Sequence, residues 1–205
     1  MPKKKKQDKK TEKSKKTVKD IKTKTNFDSS SRNAVEASII EDCIITECSN
    51  EARLLNEKSC YGTLLEDGRV QLTLIEGFYL ADKNKIVVKN GKKILEKEKL
   101  LKKCMKLEKN FMIRYAVYSD FRTRGYVIKT ALKFGADFRV YNKGIKPGED
   151  HARWIVYPVK ETGVLTWYEF AAKNRVAHST KKRLLLGIVD EENCVTYYEV
   201  KWTRP

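Results

Sequence analysis

Histidine is nearly absent from this 205-residue sequence, which holds His151 and His178 and no other. Neither stands near a cysteine, and the five cysteines, at 43, 48, 60, 104 and 194, form no CxxC pair. Structural zinc sites draw on such pairs, so no metal ligand set is expected. An odd cysteine count without that spacing points to reduced thiols in a cytoplasmic protein and argues against a disulfide framework. Long apolar runs are missing as well. None approaches the length of a membrane span, and the N-terminus lacks the apolar core of a secretion signal. The expectation is a soluble, intracellular protein with no membrane partner.

Basic charge is what the sequence has in excess. The formal net charge is +17, so an anionic partner is expected, nucleic acid ahead of an acidic membrane surface. About half of the excess lies in residues 1–24, where twelve lysines face Asp8, Glu12 and Asp20. The tail has no regular apolar spacing and cannot bury a core, so 1–34 reads as a disordered Lys-rich extension. Two roles stay open for it: a solubilising tail, or a loose phosphate-binding arm whose contribution falls with salt. The rest of the chain is basic in its own right.

From Val35 the pattern becomes that of a folded chain. "VEASIIEDCIITEC" reads as one or two strands and "NEARLLNEKSC" as a short helix. A helix is expected around Leu72 to Leu80, then a strand at Ile86 to Val88 closed by Asn90-Gly91. "ILEKEKLLKKCMKLEKN" predicts an amphipathic helix with Ile94, Leu95, Leu101 and Met105 on one face. These elements make a small N-terminal α/β domain over 35–109. It carries no catalytic constellation, and its Lys-rich helix reads as a solvated face. A second domain, 110–205, opens with "NFMIRYAVYSDFRTRG", a helix striped by Ile113, Val117, Tyr118 and Phe121 and capped by Gly125. "YVIKTAL", "DFRVY" and "RWIVYPV" are dense in β-branched and aromatic residues and read as strands. Thr166 and Glu169 stand at capping-box spacing, so a helix should begin there. "RLLLGIVD" reads as a buried strand, "DEEN" as a turn and "CVTYYEVKW" as the last strand. The fold class is α/β (α+β), with the small domain followed by a C-terminal mixed-sheet domain.

Three residues fall at the ends of these strands. Tyr141 ends one, His151 begins the next, and Lys182 begins the buried strand after the helix. The trio suits metal-free cleavage of an RNA phosphodiester. That reaction needs a base for the 2′-OH, an acid for the departing 5′ oxygen and a fixed positive charge for the phosphorane between them. Histidine is the natural acid near neutral pH, and lysine supplies the charge. A tyrosine becomes a useful base only when cations favour its ionised form, and Arg139, Lys143 and Lys182 are at hand. Residue type alone also allows a packing tyrosine, a solvated lysine and a structural histidine. His178 competes with His151, although its place in the last helical turn suits a role in closing the helix.

"YAVYSDFRTRGYVIKTALKFGADFRVY", "HARWIVYPV" and "FAAKNRVAHSTKKRLLLGIVDEENCVTYYEV" together resemble the catalytic subunit of archaeal tRNA-splicing endonuclease, from about Tyr115 to the C-terminus. The 35–109 region resembles the family's smaller domain less distinctively, and the Lys-rich tail has no counterpart. The resemblance implies a C-terminal nuclease domain of restriction-endonuclease-like type, working without metal or cofactor. It makes Tyr141 the general base, His151 the general acid and Lys182 the transition-state stabiliser, with Lys181 the competing lysine. The implied substrate is precursor tRNA cut at a bulge–helix–bulge, leaving a 2′,3′-cyclic phosphate and a 5′-OH. Arg175 would hold a flipped bulge base, with Trp202, and Arg204 after it, as candidates for the second jaw. Trp202 equally suits an exposed aromatic at a subunit contact. Asp190, Glu191 and Glu192 would dock into a basic cleft of another subunit, and "VTYYEV" would pair across a two-fold axis. That implies a homotetramer, or alternatively a heterotetramer with a structural subunit. A non-catalytic RNA-binding subunit would lack a triad member, and none is missing. A metal-dependent nuclease would want clustered carboxylates, and Asp137, Glu149 and Asp150 are scattered.

Overall fold

Glu41 turns with a positive φ of 51° between two Ile-rich strands, β1 (Val35–Ile40) and β2 (Cys43–Thr46), which pair antiparallel with Ile39 opposite Ile44. The computed structural model describes residues 34–203; the expected Lys-rich tail and Arg204 lie outside the described residues, save for Ala34. Helix α1 (Asn50–Glu57) follows, its first turn capped by Ser49, whose hydroxyl accepts from the Ala52 N–H at 3.1 Å. Then come β3 (Thr63–Leu64), β4 (Val70–Thr73), α2 (Leu74–Asp82), β5 (Ile86–Asn90), β6 (Lys93–Ile94) and α3 (Lys97–Leu107). The six strands order as β3-β4-β2-β1-β5-β6, with β1 and β5 parallel.

Two expectations about this half are corrected. Leu72 is a strand residue, not the start of a helix. It alternates with Val70 as a buried position paired to β2, and α2 begins only after Thr73. Thr73 closes a capping box with Glu76, and that fixes the helix start. The apolar face of α3 is also shifted. The helix begins at Lys97, so Ile94 belongs to the β5–β6 hairpin and never enters the helical phase. Leu100 and Cys104, one turn apart, are the buried pair, with Leu95 and Leu101 packed beside them. Ile94 and Met105 are exposed. Burial pushes the Cys104 thiol up to about 11, which makes it a packing residue.

Helix α2 is apolar on nearly all sides, as a helix between two layers must be. One side lies so close to the first sheet that a Cβ on Gly77 would come 2.4 Å from Ile44 Cδ1. The other packs on α4 (Phe111–Thr123) through edge-to-face aromatic pairs, Phe78 with Phe111 and Tyr115, and Tyr79 with Tyr118. Gly125, at φ +84°, ends α4 as expected.

The second sheet comprises β7 (Ile128–Ala131), β8 (Ala136–Val140), β9 (Trp154–Lys160), β10 (Arg183–Val189) and β11 (Val195–Val200), ordered β11-β10-β9-β8-β7. Strands β9 and β10 are parallel and joined by α5 (Trp167–Ser179); the other pairs are antiparallel. The expected Thr166–Glu169 capping box starts α5. The pleat sends alternate residues to opposite faces. Phe138, Val140, Val156 and Leu185 join the large core shared with α2 and α4, while Ile155, Tyr157 and Leu184 pack with Ala177 of α5 in a smaller one. The architecture is mixed α+β, with two mixed sheets sharing one main core.

A buried carboxylate ties the halves together. Glu76 of α2 accepts from the N–H of Gly62 and from Lys129 Nζ of β7, each at 3.1 Å, and from the Thr73 N–H at 3.1 Å. Lys129 also donates to the Gly62 carbonyl at 2.8 Å. Gly62 is required here: its φ is +59°, and a Cβ would meet the Gln71 carbonyl oxygen at 2.4 Å. Among the described residues, no helix is long and apolar enough to cross a membrane.

Candidate active site

Strand β8 gives out at Val140, but the chain stays anchored for one more residue. Tyr141 donates its N–H to the Val127 carbonyl at 2.9 Å and is buried. The following loop turns at Gly144 and Gly148, both at positive φ. It is stitched by its own carboxylates: Glu149 accepts from the Lys146 N–H at 2.9 Å, and Asp150 accepts from the His151 N–H at 2.6 Å. Pairing resumes where the Arg153 N–H reaches the Val140 carbonyl at 2.9 Å. His151 is therefore held, exposed, just before β9, with Tyr141 just after β8.

Because β9 and β10 are parallel, α5 must return the chain to the edge of the sheet where β9 began. It ends there through Lys181, at φ +54°, after which the Lys182 N–H donates to the Ala177 carbonyl at 2.8 Å. Lys182 Nζ donates to the Thr180 carbonyl at 2.8 Å and lies 5.4 Å from the centre of the Phe134 ring. Tyr141, His151 and Lys182 thereby line one cavity of about 360 Å³, with Arg139, Glu149, Asp150 and Phe134 in its wall. Lys182 lines this cavity, whereas Lys181 is exposed and occupies the turn before it. His178 packs against Trp202 instead, with the rings tilted and their centres 4.6 Å apart.

The remaining candidates lie around this centre. Arg175 is exposed on α5, one turn before His178, so Trp202 sits beside the next turn of the helix that carries Arg175. Trp202 is about half exposed. Asp190 shapes the β10–β11 turn by accepting from the Cys194 N–H at 2.8 Å, and Glu191 and Glu192 are exposed at its tip. That tip is at the other end of β10 from Lys182, about 25 Å away at the usual strand rise.

Charges near the site are mostly paired. Asp137 meets Arg114 Nε at 2.8 Å; burial raises its pKa, opposed by the Arg114 and Lys173 charges. Glu199 accepts from Trp154 Nε1 at 2.7 Å and Arg183 at 2.8 Å, and these contacts hold its carboxyl below the usual range. Among the described residues, no three His, Cys, Asp or Glu side chains gather as metal ligands. Phe134 and the Glu76–Lys129 latch are absent from the candidates drawn from the sequence. Phe134 carries no local signal, and the latch joins residues 53 positions apart.

Residues 111–197, which contain the whole triad, match the family described as tRNA intron endonuclease, catalytic C-terminal domain, and residues 35–101 match its N-terminal domain. The chain belongs to the tRNA intron endonuclease family. It is 48% identical over 141 residues to the tRNA-splicing endonuclease of Nanoarchaeum equitans, covering 66% of this chain and 90% of that one. The tRNA-splicing endonuclease of Methanothermobacter thermautotrophicus is 36% identical over 171 residues, covering 83% and 99% of the two chains. That of Thermococcus gammatolerans is 38% identical over 163 residues, covering 80% and 95%. This family member is thus an endonuclease, and the cavity lined by Tyr141, His151 and Lys182 lies inside the matched catalytic domain. Trp202 falls beyond the matched segment.

Proposed function

We propose that this endonuclease excises introns from precursor tRNA, cutting at bulge–helix–bulge junctions without a metal and leaving 2′,3′-cyclic phosphate and 5′-OH ends. The convergence of Tyr141, His151 and Lys182 on one cavity carries the reading. Tyr141 takes the proton of the 2′-OH, and the 2′ oxygen attacks the adjacent phosphorus. The P–O5′ bond breaks as His151 gives a proton to the departing oxygen. Lys182 offsets the negative charge of the phosphorane between these events. Every atom transferred comes from the RNA or these side chains, so no co-reactant is needed.

Single-stranded bulges suit the site because their bases can be splayed out, whereas a regular A-form helix hides its base edges. Arg175, with Trp202 beside the next helical turn, supports a clamp for one such base through guanidinium and aromatic faces. The division at 109/110 puts all of these residues on the second domain. Five free thiols suit a reducing cytoplasm. The test uses two substrates that differ only in pairing. The purified chain should cut a precursor with two bulges and leave a fully paired version intact. Equal cutting of both would overturn the recognition mode.

The working form is a homotetramer, with Asp190, Glu191 and Glu192 docking on another copy and the exposed edge strand β11 pairing across a two-fold axis. Amide replacements Asp190→Asn, Glu191→Gln and Glu192→Gln together should convert tetramers to dimers in sedimentation velocity. A tetramer unchanged by all three would contradict the docking role. RNA binding without cleavage until a second protein is added would favour the heterotetramer.

A further inference from the structure

Arg139 is a cation in the wall of the cavity, and its only role so far is to sit near Tyr141 as one of several cations, with no contact to the substrate. We infer that its guanidinium donates to a non-bridging oxygen of the scissile phosphate, as a second donor to the transition state beside Lys182. The inference rests on the cavity being the cleavage site.

The pleat sets its direction. Phe138 and Val140 turn into the main core, so Arg139 projects to the other face, the face of its register partner Ile155. Its guanidinium carbon lies 5.9 Å from the centre of the Tyr141 ring, and both residues border the same cavity. Buried polar atoms are almost always hydrogen-bonded, and an exception needs an explanation. Arg139 Nε is buried without a hydrogen-bond partner. The charged groups around it make other contacts. Lys129, directly opposite on β7, is given to Glu76. Arg114 is paired with Glu108 and Asp137. In the cavity itself, Glu149 accepts from the Lys146 N–H and Asp150 from the His151 N–H. Among the described residues, no carboxylate forms an ion pair with Arg139. A planar guanidinium offers two parallel donors to a phosphate, a geometry that the single ammonium of Lys182 does not provide.

The test uses the full chain and a precursor tRNA carrying sulfur at either non-bridging position of one scissile phosphate. Arg139→Gln should lower the single-turnover rate about 100-fold. Affinity for a precursor made uncleavable by 2′-deoxy substitution should hold. One sulfur isomer should slow the wild type and add little further slowing in Arg139→Gln, while the other isomer behaves alike in both. Arg139→Lys should recover part of the rate, and its sulfur effects decide the matter if the glutamine variant does not fold. Sulfur effects identical in wild type and variants would overturn the contact, as would a rate loss matched by lost affinity. Lys182→Ala separates the two layers. If it is inactive while Arg139→Gln cuts normally, only the role of Arg139 fails. If Lys182→Ala cuts at the wild-type rate, the cavity is not the cleavage site and both readings fall.

Discussion

Replacing His151 with alanine should lower the single-turnover rate of precursor-tRNA cleavage by about 1,000-fold, within the range for loss of a general acid, with RNA affinity unchanged. The departing 5′ oxygen is a poor leaving group until protonated, and His151 is the imidazole at the cavity. The side chain is exposed, and the loop is held by backbone donors to Glu149 and Asp150, not by the ring. Truncation should therefore leave stability nearly intact, as for most surface changes. A substrate with sulfur in place of the 5′ oxygen supplies the decisive control. A thiolate leaves without a proton, so the variant should cut that substrate nearly as fast as the wild type does. A variant that still cuts the oxygen substrate at full rate would remove His151 from the chemistry.

Glu76→Ala should destabilise the protein by about 3–5 kcal/mol, the usual cost of breaking a buried ion pair from one side. The carboxylate is almost fully buried and serves four donors: the N–H groups of Gly62 and Thr73, the Thr73 hydroxyl and the ammonium of Lys129. Removing it leaves those donors unmet and sets an unpaired Lys129 directly across the ladder from Arg139. Urea unfolding followed by tryptophan fluorescence measures the change. A loss under about 1 kcal/mol, the scale of an exposed pair, would mean that water replaces the carboxylate and that the latch does not hold the halves together.

These two residues also show how differently the sequence speaks about site and scaffold. His151, Tyr141 and Lys182 stand at strand ends that local pattern suggests, but residue type alone leaves each open to a bland role. Resemblance to a family assigns their roles, and the parallel β9–α5–β10 connection brings them to one edge. Glu76 has a legible local role, since Thr73-x-x-Glu76 is a capping box in plain view. The apolar run from Leu72 nevertheless suggests a helix that starts two residues too early, because a buried strand and a buried helix look alike over a few residues. The Thr166–Glu169 box follows Gly163 closely, and its helix start is read correctly. The misplaced face of α3 has a similar origin: Ile94 and Leu95 look helical until the Asn90-Gly91 turn pairs Ile94 with Lys89. The other partners of Glu76, Gly62 and Lys129, lie 14 and 53 positions away, and no local rule reports them.

The most direct measurement is to incubate the purified chain alone with a bulge-containing precursor tRNA in EDTA and to identify the ends at both cuts. The expected result is two cuts, each leaving a 2′,3′-cyclic phosphate and a 5′-OH. A 3′-OH with a 5′-phosphate, or cleavage that appears only when Mg²⁺ is restored, would contradict acid–base cleavage by Tyr141, His151 and Lys182.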